Sequence, residues 1–189
     1  MGITLVKVPV DSLEQFTFNA FRAMGVPEDE ARACTRGLME SELHCLPGQG
    51  QGVRRLPVYN ERINKGYVQP GAPFEIVKES PALALVDGHN GLGSPVAQRA
   101  MRIAIEKAKV CGVGTVIVRN STHFGSSAVH ARIAADAGCI GIATTNAGPE
   151  MAPWGAAIGV VGTNPWGIAA PTGGDFSVVM DIEIGRAHV

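Results

Sequence analysis

The stretch Gly114-Thr-Val-Ile-Val-Arg119 constrains this chain most. Its apolar residues run without a polar break, so as a strand it must be covered on both faces, the situation of a sheet sandwiched between helices. Helical periodicity on either side fits that reading. Pro95–Cys111 places Val96, Ala100, Ile103, Ala104 and Ala108 on one stripe, and Ser126–Ala137 follows the run. Cys139–Thr145 is a second strand of the buried kind. Shorter strand-like runs fall at Phe74–Lys78, Ala82–Asp87, Gly167–Ala170 and Ser177–Asp181. From residue 71 onward, then, the chain reads as α/β.

The first third reads as helical. Asp11–Met24 is expected as a helix that Asp11 caps with Glu14 three residues on, burying Leu13, Phe16, Ala20 and Met24 and stopping at Gly25. A second helix starts at Pro27, with Glu28, Asp29 and Glu30 complementing its dipole, and runs to about Leu43. After a glycine-rich break from Leu46 to Gly52, a third is expected over Val53–Lys65, with Val53, Leu56, Tyr59 and Ile63 on one side. The turn-rich connector Gly66–Pro73 divides a helical region, 1–70, from a cofactor-binding and catalytic region, 71–182. The last stretch, Glu183-Ile-Gly-Arg-Ala-His-Val189, is what a common sequencing-adapter tail encodes in frame, so residues 183–189 are expected to be adapter read-through.

Composition narrows the function. The 189 residues allow one sizeable core, or one domain and part of another. Lys+Arg 16 against Asp+Glu 17, scattered along the chain, gives no basic face for a nucleic acid, although one arginine suffices for a small anion. Cys34, Cys45, Cys111 and Cys139 are far apart and His44, His89 and His130 are isolated, so no metal site is expected. The N-terminus lacks the apolar run of a signal peptide and no stretch approaches a membrane span, so the expectation is a cytoplasmic protein with no membrane partner.

Several motifs could carry chemistry. Arg119-Asn-Ser-Thr-His-Phe-Gly125 leaves a strand and enters a helix, where open α/β sheets place their ligands, and His123 there can pass a proton to or from a carbonyl oxygen. From the residues alone, a solvated turn histidine reads equally well. Gly162-Thr-Asn-Pro-Trp-Gly167, followed by Pro171-Thr-Gly-Gly174, lets backbone amides approach an anionic ligand, or simply turns the chain. Asp87-Gly-His-Asn-Gly-Leu-Gly93 has the wrong glycine spacing for a Rossmann fingerprint and reads as a helix-entry turn. In Gly48-Gln-Gly-Gln-Gly-Val-Arg-Arg-Leu-Pro57, Arg54 or Arg55 could pair with a carboxylate or lie at the surface. The rings of Trp154 and Trp166 are expected to serve packing.

Together these stretches resemble one family. Gly-Val-Arg-Arg-Leu-Pro-Val-Tyr (52–59), Ala-Leu-Val-Asp-Gly-His-Asn-Gly-Leu-Gly (84–93), Val-Arg-Asn-Ser-Thr-His-Phe-Gly (118–125), Ala-Pro-Trp-Gly (152–155), Gly-Thr-Asn-Pro (162–165) and Ala-Ala-Pro-Thr-Gly-Gly (169–174) occur in that order in the malate/L-lactate dehydrogenase type 2 family. The resemblance implies a fold class of α/β, with an N-terminal helical region packed on a non-Rossmann mixed-sheet NAD(P)-binding domain, here incomplete. It implies a homodimer, NAD or NADP as cofactor, and hydride transfer between the nicotinamide and a small anionic 2-oxo or 2-hydroxy acid. It places His123 at an active-site position and Arg55 on the substrate carboxylate. Asn146, Thr163, Asn164, Pro165 and Asp181 fall among the positions lining the cofactor. One departure stands out. The family's Asp-Ser-His-Gly carries a proton-donor histidine where this chain has Gly50-Gln51-Gly52, and glutamine cannot deliver a proton at neutral pH. Either His123 acts alone as the acid, or His44 reaches in from its helix end, or the reaction needs less proton help. The alternative reading is a non-catalytic cofactor-binding homologue.

Overall fold

The computed structural model describes residues 6–44 and 52–182. Gln51, Cys45 and the 183–189 tail, each the subject of an expectation above, lie outside them. In chain order the elements are α1 (Val10–Ala23), α2 (Glu28–Leu43), a 3-10 turn (Gly52–Arg55), α3 (Leu56–Asn64), β1 (Glu75–Glu79), β2 (Leu83–Gly91), α4 (Gly93–Cys111), β3 (Thr115–Ser121), α5 (Ser127–Asp136), β4 (Gly141–Thr144), β5 (Trp166–Pro171) and β6 (Ser177–Ile182). Every expected helix and strand is present, with most ends displaced by only a few residues.

The three N-terminal helices close around Phe21, Val26, Ala31, Cys34, Leu38, Leu56 and Tyr59, and the connector and β2–α4 turn add Val68 and Leu92. α1 begins at Val10, so Pro9 is its N-cap and Asp11 lies in the first turn, where its charge favours the dipole but its side chain caps nothing. That corrects the expected capping box. The buried face is also rotated from the expected one: Thr17 and Phe21 are buried while Phe16 is exposed. Thr17 is tolerated there because its hydroxyl donates to Leu13 O at 2.7 Å. Gly25 ends the helix with φ 81°, the left-handed conformation that glycine adopts without strain.

Two three-stranded sheets follow. In the first, order β1-β2-β3, β1 runs antiparallel to β2 and β2 parallel to β3, with α4 as the crossover. The second, order β4-β5-β6, is antiparallel throughout. A mixed sheet beside an antiparallel one is not a doubly wound Rossmann array. α2 is fastened to α4 by a buried polar contact in which Ser94 Oγ and Gln98 Nε2 both donate to Ala33 O, at 3.1 and 3.0 Å. α5 packs its Ala131 and Ala135 against Ala143 of β4 and Ala169 of β5.

β3 and β4 are not covered on both faces, as their apolar runs led one to expect. Along β3, Val116 and Val118 are half-buried while Ile117 is exposed, and along β4 Gly141 and Ala143 are buried while Ile142 is exposed. Among the described residues, α4 packs on the first sheet and α5 on the second. The tryptophans also depart from expectation: Trp154 is 98 % exposed and Trp166 is 37 % exposed. Both belong to the segment that joins and opens β5, away from the packed faces.

Candidate active site

The site forms where the helical region meets the first sheet. The 3-10 turn and α3 present Arg55, Val58, Tyr59 and Arg62 along one stripe, spaced as residues i, i+3, i+4 and i+7. Opposite them, the segment after β3 brings Thr122 and His123. These side chains, with Val68, line one narrow cleft. The structure therefore brings together Arg55 and His123, which the sequence had separated by most of a domain. Arg54, the other candidate of its pair, is exposed and does not line the cleft.

His123 is held from two directions. Its backbone is locked to the β2–α4 turn: Thr122 Oγ1 donates to Gly91 O at 2.9 Å, and a side-chain carbon at position 93 would fall 2.1 Å from Thr122 O and 2.5 Å from His123 O. Only glycine fits there, which gives Gly93 a packing role in place of any dinucleotide motif. Asp87, at the end of the β2 core, secures the same two loops. Its buried carboxylate accepts from His89 N (2.9 Å), Asn120 Nδ2 (2.9 Å) and Arg119 Nε (2.9 Å). Those donors, the His89 amide foremost, keep its carboxyl below the usual range. This bracing lets His89, Asn90 and Asn120 keep positive φ of 47°, 60° and 49°.

The ring of His123 is held by Tyr59, whose hydroxyl lies 2.8 Å from Nδ1. Desolvation, and then the positive charges of Arg55 and Arg62, lower the proton affinity of His123 to a pKa of about 4. At neutral pH the ring is thus a neutral imidazole beside two guanidinium groups.

The remaining histidines fall elsewhere. His44 Nδ1 donates to Glu40 O at 2.8 Å, and its Nε2 accepts from Arg132 at 3.3 Å, tying α2 to α5. In the structure His44 does not line the cleft. His89 pairs with Glu75 at 2.9 Å, and His130 is buried against Phe124.

The expected cofactor residues gather at a neighbouring edge. Thr145 N donates to Pro165 O at 3.1 Å and Ala147 N to Asn164 Oδ1 at 3.0 Å, so Asn146 and the Thr163–Pro165 turn lie side by side where β4 ends and β5 begins. Asn146 and Asn164 are both exposed there. Asp181 sits opposite Gly167 on β6, and its Oδ2 accepts from Ser126 Oγ and from Ala128 N (2.7 Å). It thereby caps α5, the helix that His123 introduces. Tyr59 and Arg62 are site residues that motif reading passed over. The signal was the i, i+4, i+7 stripe from Arg55, masked because Tyr59 also reads as a core residue of α3.

The chain is similar to proteins of known structure and activity. Malate dehydrogenase of Pyrococcus horikoshii is 40% identical over 167 residues, covering 88% of this chain and 46% of that protein. L-sulfolactate dehydrogenase of Methanocaldococcus jannaschii is 39% identical over 163 residues, covering 86% and 44%. The solved structure of the Pyrococcus horikoshii enzyme superimposes with a TM-score of 0.89 at 39% identity, over 94% of this chain and 50% of that one. The chain thus spans about half the length of the relatives it matches. Residues 8–186 match the family described as malate/L-lactate dehydrogenase, and the chain belongs to that family.

Proposed function

We propose that this chain is the proton-transfer and substrate-anchoring half of an NAD(P)-dependent oxidoreductase that moves hydride between the nicotinamide and a small 2-hydroxy or 2-oxo acid. The observation that carries the reading is the cleft in which a Tyr59-held His123 faces Arg55 and Arg62. Arg55 takes the substrate carboxylate, since a guanidinium matches its two oxygens. Arg62, two helical turns along, takes a second acidic group. The relatives named for malate and sulfolactate are consistent with that choice, because both acids carry one. Beside the arginines, His123 accepts the hydroxyl proton in oxidation and returns it in reduction.

Asn146 and Thr163–Pro165 fit the amide-bearing edge of a nicotinamide cofactor, because their polar groups gather on one edge where two strand ends meet. The cofactor supplies the hydride acceptor. What this chain adds is position, charge and the proton. Asp181, on the same sheet, holds the α5 end that follows His123. The full-length protein is proposed to be a cytoplasmic homodimer. Among the described residues no helix is long and apolar enough to cross a membrane.

The test is steady-state kinetics on the full-length protein with malate, sulfolactate and lactate, following the nicotinamide absorbance. His123→Ala should lower kcat by about two to four powers of ten, the usual share of a positioned acid–base group, at unchanged thermal midpoint. Arg62→Ala should erase the preference for the doubly acidic substrates over lactate. Unchanged turnover in His123→Ala would remove histidine from the chemistry.

A further inference from the structure

Tyr59 is buried at 4 % exposure, yet its hydroxyl touches the group that carries the proton. The phenol oxygen lies 2.8 Å from His123 Nδ1 and 3.4 Å from the His123 carbonyl oxygen. Phe21 packs edge-on against its ring at 5.3 Å and the His123 ring does so at 5.8 Å, so the phenol has little room to swing away. Burial drives its own ionisation far above the ordinary range, so it remains a neutral hydroxyl with a single hydrogen. That hydrogen can serve Nδ1 or the carbonyl, not both.

The chemistry chooses between them. A histidine that accepts and returns a proton alternates at one nitrogen, while the other stays protonated in both states. A phenol donating to Nδ1 would have to give up that bond whenever the imidazolium formed. A phenol accepting from Nδ1–H and donating to the carbonyl keeps both bonds throughout. We propose that Tyr59 is the positioning residue of the proton-transfer step: its oxygen accepts from Nδ1–H of His123 and its hydrogen points to the His123 carbonyl, which leaves Nε2 as the nitrogen that exchanges the substrate's proton. The inference rests on the proposed function. In oxidation the hydroxyl O–H bond breaks and its proton goes to Nε2. The C2–H bond leaves with its electron pair as hydride to the nicotinamide, and the oxygen lone pair closes the C=O bond. Reduction runs the same transfers backwards, and no other reactant is needed.

The experiment uses full-length protein labelled with 15N-histidine, as wild type, Tyr59→Phe and His123→Asn. At neutral pH the resonances that vanish in His123→Asn should show a protonated Nδ1 and a bare Nε2. In Tyr59→Phe the ring should shift toward the opposite tautomer. There kcat for the hydroxy acid should fall about ten- to a hundredfold, with KM within about twofold, because the residue orients the base without touching substrate. A wild-type ring bare at Nδ1 overturns the assignment, and so does a Tyr59→Phe enzyme with unchanged kcat and tautomer. If His123→Asn itself turns over normally, the proposed function has failed. If His123→Asn is inactive and Tyr59→Phe is not, only the role of Tyr59 has failed.

Discussion

The helical region and the two sheets hide their apolar residues very differently. Phe21, Val26 and Ala31 are all at 0 % exposure inside α1–α3 and the turns that close them. On the sheets, Leu83 and Ile117 of β2 and β3 and Ile142, Val178 and Met180 of β4–β6 are exposed, Ile117 at 62 %. Each sheet rests one face on α4 or α5 and turns another apolar face outward. Contiguous apolar surface of this kind marks an interface. The chain spans 46% of its Pyrococcus horikoshii relative. The site lies on the seam between the two regions: its arginines and tyrosine come from the closed helical side, its histidine from the open sheet.

A pair of substitutions breaks or sharpens that contrast. Phe21→Ala should cost about 3–5 kcal/mol whether or not the outer faces of the sheets are covered, because it empties a core that α1–α3, Val68 and Leu92 already close. Ile117→Asp should move stability by no more than about 0.5 kcal/mol if the outer face of β3 is open to water. In the full-length protein it should instead cost several times that, as an unpaired charge forced under a cover. Urea denaturation of both variants reads the two costs, and a neutral Ile117→Asp in the full-length protein would show that the face stays bare.

A second contrast concerns two histidines, His123 at the seam and the buried His130 within α5, and their response to pH. Burial first of all lowers His123 and His130 from 6.5 to about 4. A group whose folded pKa lies below its unfolded one contributes fully above the unfolded value. Its contribution is then lost as pH falls, here between about 6.5 and 4. His130 is the cleaner case. Its Nε2–H donates to Phe124 O at 2.8 Å, and Nδ1 is buried with no partner among the described residues. A proton added there has nothing to bond. Between pH 7 and pH 4.5 the protein should lose about 2–3 kcal/mol through His130, and His130→Gln, which keeps a donor toward Phe124, should flatten that slope. Equal slopes in parallel urea titrations would count against the assignment.

Much of this was readable from residues alone, for identifiable reasons. Helices and strands came through because their periods are local: Gly25, Gly66 and the stripe of α4 need no knowledge of the rest of the fold. Burial did not come through. The Gly114–Arg119 run has the composition of a strand covered twice, and nothing local says which cover is in place. At the site, the residues alone left open Arg54 against Arg55 and a solvated turn for His123, and it was the family resemblance that singled out Arg55 and His123. Tyr59 and Arg62 were missed because a tyrosine on an apolar stripe and an arginine on a polar one are what any α3 would carry. Asp87 was read as part of a turn, since its link to Arg119 and Asn120 spans more than thirty residues. Only the pairing of β2 with β3 brings them together.

The smallest effect expected is also the one that joins the two sides of the seam. After desolvation, the fields of Arg55 and Arg62 hold the proton off His123. These charges come from the helical region, and the group they act on comes from the sheet side. An anion seated between the arginines cancels part of their field, so binding should draw a proton onto the ring. Oxamate, a carboxylate mimic of a 2-oxo acid, is the probe. Titrated into the full-length protein with reduced cofactor present, in buffers of different ionisation enthalpy, it should take up a fraction of a proton, growing as pH falls from 7 to 5. His123→Asn should abolish the uptake. Arg62→Gln should reduce it, because part of the field the anion relieves is already gone. By reciprocity oxamate should bind more tightly as pH falls through that range, about tenfold at most for each unit by which the pKa of His123 rises. Binding with no proton uptake in the wild type would mean that the anion sits away from His123, and that the arginines and the histidine share a cleft without sharing a ligand.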